Sequence, residues 1–142
     1  MAATACWNTS AVIRWRKAFA AHTEPFGILR LELWLLAHRD ERLRADMNAW
    51  QERVHSAFVA LLDQQAADLG VTYRVDTALL ATAVLAAGDG TAVAHGIDPA
   101  GNHDQAFAWA LATLMVDSME PRPISEEAWP TFVDGLLRAA GA

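Results

Sequence analysis

Residues 76–98 read DTALLATAVLAAGDGTAVAHGID, and the fold turns on whether Gly88, Asp89 and Gly90 break a helix or lie inside one. If they formed a turn, the piece Thr91 to His95 would be a helix of little more than one turn, too short to hold its shape. If the helix continues from Thr77 to His95, then Ala83, Ala87, Gly90 and Ala94 fall at spacings of four, three and four on one smooth stripe. Two interior glycines cost about 2 kcal/mol of helix propensity relative to alanine. Close packing offsets that cost, because a ridge without side chains lets a second helix approach more nearly than usual. The second helix can belong to the same chain or to a symmetry mate. The reading is therefore one continuous helix, capped by Asp76.

The rest of the chain agrees with a helical fold. Alanine is abundant, Val, Ile, Thr and Tyr are sparse, and no useful stretch alternates apolar with polar residues. At 142 residues and 54% hydrophobic content, the chain suffices for a substantial core in one domain and is too short for two. Residues 1–9 read as a loose end. Six helices are expected. The first, Ser10 to His22, carries Val12, Trp15 and Phe19 on one stripe. The second is capped by Thr23, has Glu24 and Pro25 in its first turn, and runs to His38 or Arg39; it is apolar on most sides and so should be central and buried. Asp40 caps a third that stops at Gly70, with Leu43, Met47, Trp50, Val54, Phe58 and Leu61 as its stripe and an Asp40–Arg44 surface pair. After residues 76–98 and the loop around Pro99, a fifth spans His103 to Met119. Ser125 caps the last, which reaches Ala139.

Charge and composition exclude several functions. A formal charge of −6 and a pI near 5.2 argue against nucleic-acid binding by this chain alone, because such contacts are made mainly by Lys and Arg to phosphates. Arg14, Arg16 and Lys17 read as a solvated face. One cysteine, Cys6, permits no intramolecular disulfide and suits a reducing cytosol. No signal peptide is visible, and the near-apolar runs Ala78 to Ala87 and Phe107 to Val116 are about half a membrane span. His95, Asp98, His103 and Asp104 cluster without any justified zinc spacing, and a helix-to-helix loop explains them, so neither metal nor cofactor is expected. The acidic pairs Asp40/Glu41 and Glu126/Glu127 sit where helix starts favour acids, and Ser10, Ser56, Ser118 and Ser125 lie in no nucleophile context. Enzymatic activity is not expected.

An apolar, alanine-rich helix with a D-G pair near its middle, then a D-P loop and another apolar helix, resembles the C-terminal region of TetR-family transcriptional regulators. Upstream, RLELWLLAHRDERLRADMNAWQERVHSAFVALL (residues 30–62) is similar to the same family's pattern, with Arg39, Asp40, Leu43 and Arg44 opening the long helix. The resemblance covers Glu24 to Ser118. It implies an all-α, single-domain regulatory unit over residues 10–142 of a cytoplasmic repressor. The helices at 76–98 and 103–119 would pair with their copies in a homodimer, through Leu79, Ala83, Ala87, Gly90, Ala94, Phe107, Leu111, Leu114 and Met115.

The resemblance also implies a small hydrophobic or aromatic effector held between the preceding helices. Trp15, Phe19, Phe26, Leu33, Trp34, Met47, Trp50, Val54, Phe58 and Leu80 would form the walls, and Arg30, Glu32, His38, Asn48, Gln51 and His55 are the polar groups that could orient it. Six tryptophans supply bulk that can line a pocket as well as fill a core. Family members begin with a helix-turn-helix unit of roughly fifty residues. Residues 1–22 do not fit one, so DNA contact is expected only through a domain outside this sequence. The contrasting expectation is a stand-alone interaction module with a filled core and no ligand; a helical enzyme using the loop from His95 to Asp104 comes third.

Overall fold

The computed structural model describes residues 27–141 together with Ile13 and Lys17. Five helices run through this part: α1 (Gly27–Ala37), α2 (Glu41–Leu69), α3 (Thr77–Ile97), α4 (His103–Ser118) and α5 (Trp129–Ala140). Of the expected helix over residues 10–22, only Ile13 and Lys17 are described; both are helical, and Ile13 packs against the core. The Thr23 cap lies outside the described residues.

Local chemistry sets the helix ends. The Asp40 carboxylate accepts a hydrogen bond from the Leu43 N–H at 3.0 Å, satisfying one of the donors that a helix start leaves open. At the other end of α2, Gly70 takes φ 64°, and its N–H reaches back to the carbonyls of Ala66 and Ala67, a left-handed stop that glycine adopts without strain. Asp76 caps α3 through the N–H groups of Ala78 and Leu79. Arg44 pairs with Glu41, at 3.8 Å, in place of the Asp40–Arg44 pair expected from the sequence. The Ser125 hydroxyl accepts from the Ala128 N–H, and the helical ladder starts there with Trp129 N–H to Ser125 O, although the regular part of α5 begins at Trp129.

The helix α3 passes through Gly88, Asp89 and Gly90 without interruption. It packs against α1, α2 and α4, and α5 packs on α4. The core is built around Leu62, Leu80, Ala81, Val84, Phe107, Leu111, Met115, Met119 and Leu136. By length and composition α3 could cross a membrane, but its contacts with three neighbouring helices make it a bundle element.

Two expectations are corrected. Leu62, fully buried, is the inward residue of α2, whereas Leu61 is 49% exposed; the step after Phe58 is four residues, which follows the helical period from Val54. Secondly, α1 is peripheral rather than central. Only Gly27 and Ala37 are buried, while Ile28, Leu29, Leu35 and Leu36 are exposed. This eleven-residue helix is apolar on most sides, and it packs one face on α2 and α3 while these four apolar residues stay exposed. A small departure from pure helix occurs where Thr72–Tyr73 pairs antiparallel with Met119–Glu120, tying the loop after α2 to the end of α4. The chain leaves this ladder through a cis peptide bond between Glu120 and Pro121.

Candidate functional site

In α1 (GILRLELWLLA) Arg30 is the sole cation, and in α3 Asp89 is the sole carboxylate. They meet. Arg30 Nη1 lies 2.6 Å from Asp89 Oδ1 and Nη2 donates to Oδ2 at 2.9 Å, a two-pronged pair in which each side chain keeps less than a fifth of its exposure. The planar fork of a guanidinium matches a carboxylate in this way. Together with the approach of Gly27 to Ala92, the pairing shows α1 and α3 running antiparallel, since the α3 partner falls in number as the α1 residue rises.

Two indoles bracket the guanidinium. Arg30 Cζ is 5.4 Å from the ring centre of Trp34 on α1 and 5.1 Å from that of Trp50 on α2, both within the range in which an aromatic face attracts a cation. Burial dominates the electrostatics of Asp89: desolvation lifts its carboxyl above the ordinary value, and the nearby Arg30 charge and hydrogen bond pull it only part of the way back. Arg30 Nε and Trp34 Nε1 are buried without a hydrogen-bond partner. Three helices thus converge on a cation whose end-on donors are satisfied and whose side-on donor is not.

The other expected wall residues divide into three groups. Trp15, Phe19 and Phe26 lie outside the described residues. Leu80 belongs to the core, and Phe58 packs against it. Leu33, Met47 and Val54 are half-buried on α1 and α2, and Trp50 is 40% exposed. Of the polar candidates, Glu32, His38, Asn48 and Gln51 are exposed. His55 turns to the start of α3, with Nε2 2.9 Å from Ala78 O and 3.1 Å from Thr82 Oγ1; the Ala78 carbonyl can only accept, so Nε2 carries the proton. Asp89, which engages Arg30, is the residue that the sequence reading did not single out. Its signal was present as a lone acid in an otherwise uncharged stretch, facing a lone arginine on another apolar helix.

Across the loop between α3 and α4, His95 in the last turn of α3 and His103 at the start of α4 stand edge to face with ring centres 6.5 Å apart. Asp98 is turned to the Ala100 N–H. Among the described residues no group of three or more metal-binding side chains forms.

Residues 10–120 match the family model described as BetI-type transcriptional repressor, C-terminal, which is well over half of the chain. The chain belongs to this TetR-type repressor family. No curated protein and no solved structure matches it. The TetR-type domain is all-α, as expected, and its family is one of regulators rather than enzymes.

For the surface that a second copy of the repressor domain could meet, α4 requires a correction. Phe107, Leu111 and Met115 are 4%, 1% and 0% exposed inside one subunit, enclosed in the same cluster as Leu62 and Leu136, so they leave no outer surface. The strongest apolar stripe of α4 serves its own core, Leu114 packs against that core, and Trp109 points outward at 50% exposure. On α3 the outer stripe holds Leu79 and Ile97, 63% and 72% exposed, with the exposed Gly90 between them. Ala83, Ala87 and Ala94 are half-buried. A Cβ placed on Gly90 would meet nothing within 4 Å. Among the described residues of the subunit, no helix makes the close approach to Gly90 that the sequence suggested.

Proposed function

We propose that this repressor domain senses a small effector and forms a homodimer, reading the effector on one side of α3 and contacting its copy on the other. The observation that carries the reading is the contrast between neighbours on α3. Asp89 is engaged by α1 through Arg30, and Gly90, one residue on, presents bare backbone outward. A small-residue strip with large apolar ends at Leu79 and Ile97 suits a second helix packing across it. A ligand that alters the seating of α1 then acts on the helix that meets the partner, a shift of populations between two helix arrangements. DNA would be contacted through a helix-turn-helix domain outside these residues, and membership of the family favours a cytoplasmic setting.

Sedimentation velocity tests the dimer. The wild-type chain should sediment as a dimer and Gly90→Leu as a monomer that keeps its helical circular dichroism. A Gly90→Leu chain that stays dimeric removes the assigned face. Tryptophan fluorescence against a panel of apolar and aromatic metabolites tests the sensor; a flat response across the panel favours an interaction module with a filled core.

A further inference from the structure

Building on the effector-sensing reading above, we propose that the effector is a small organic acid with a flat apolar body, anchored by the free edge of Arg30 and by Trp34. The guanidinium presents two edges to carboxylates. Its end is taken by Asp89 through Nη1 and Nη2, while Nε on the side edge is buried without an acceptor. Trp34, one helical turn along α1 from Arg30, contributes a second buried donor, Nε1, that also lacks one. Buried donors without partners are costly and uncommon. A carboxylate supplies acceptors of the missing kind, and the indole faces of Trp34 and Trp50 offer flat apolar surface to the body that carries it.

Trp50, whose ring centre lies 5.1 Å from the guanidinium carbon, is 40% exposed, so the cluster is open to solvent on that side. A bound acid then competes with Asp89 for the guanidinium. Arg30 is the residue by which α1 grips the middle of α3, so the competition loosens that grip one residue from the bare backbone of Gly90. The acid and Asp89 repel each other, and neutralising Asp89 therefore strengthens acid binding.

The test uses benzoate, its neutral isostere benzamide, and tetramethylammonium chloride, each titrated calorimetrically into the full chain. Benzoate is expected to bind saturably and benzamide about tenfold or more weakly, the scale of one charge-assisted hydrogen bond. Trp34→Phe keeps the ring and loses the donor, and should weaken benzoate by about tenfold; Asp89→Asn should tighten it by a similar factor. Unchanged benzoate affinity in both variants overturns the proposal, as does saturable binding of tetramethylammonium in place of benzoate, since two indoles and a carboxylate could instead cage a cation once Arg30 withdraws. Preference for benzamide also overturns the acid but leaves effector sensing standing. Silence toward all three probes in wild type and in Asp89→Asn overturns the acid, and only silence across the wider metabolite panel overturns the sensor reading.

Discussion

Gly27 of α1 lies directly on the backbone of Ala92 in α3: a Cβ added to Gly27 would stand 2.8 Å from the Ala92 carbonyl oxygen and 3.3 Å from the Ala92 Cβ. The obstacle is helix backbone, which cannot step aside as the end of a side chain can. Gly27→Ala should therefore push α1 off α3 and destabilise the subunit by about 1–3 kcal/mol, the usual cost of overpacking. Urea denaturation followed by circular dichroism measures it. A neutral result would mean that α1 does not sit where Arg30 needs it.

The opposite holds at Gly90. With no atom from outside its own stretch of helix within 4 Å of a Cβ built there, Gly90→Ala should stabilise the isolated subunit by about 1 kcal/mol through helix propensity alone. The comparison is cleanest in dilute protein, where dimer dissociation does not add to the unfolding free energy. Destabilisation under those conditions would show that the helix at residues 88–90 is strained.

The Arg30–Asp89 pair should matter more for coupling than for stability. Removing one partner, as in Asp89→Leu, leaves a largely buried guanidinium uncompensated and should cost about 2–3 kcal/mol, less than for a pair in the deep interior because each side chain keeps some exposure. The double variant Arg30→Met/Asp89→Leu should cost less than that single one. Costs that simply add would show that the two residues act independently.

The raised carboxyl of Asp89, caused chiefly by burial, has a defined sign. The native state holds on to a proton that the unfolded chain has already released, so this titration favours the native state in acid and withdraws that advantage as pH rises through the raised native value. Compared with Asp89→Asn, the wild type should therefore lose relative stability as pH rises from the ordinary carboxylate range through the raised native value. Parallel urea titrations across that range measure the difference, and a relative gain in stability with pH would contradict the burial.

Tyr73, the single tyrosine, has its phenol pushed up to about 12 by burial and by the nearby Asp63. Here too the native state keeps the proton longer, and stability should be lost as pH rises from the ordinary phenol range toward about 12. Ultraviolet absorbance reads this group alone. Its midpoint should fall to the ordinary value in urea, and Tyr73→Phe should abolish the alkaline loss of stability.

Much of this molecule was legible before any coordinates, and the legible parts share a cause. Asp40 and Asp76 cap helices, Gly70 stops one, and α3 runs through Asp89 because the energies involved act within one or two turns of the same chain. Periodicity also identified the faces of α2 nearly correctly, erring by one residue between Leu61 and Leu62. The effector-site reading singled out Arg30, Trp34 and Trp50, which the structure brings together. It passed over Asp89, which enters the sequence reading only as part of a possible turn and of the D-G pair.

Sequence alone, then, determined the all-α class, the main helix boundaries and the family, because each follows from neighbours along the chain or from a pattern of them. Tertiary structure alone decided that Phe107, Leu111 and Met115 face inward, that α1 lies at the edge, and that Arg30 grips Asp89 across 59 positions. Those outcomes depend on how rigid helices orient against one another. A helix with apolar residues on several faces does not itself specify which face its neighbours will cover.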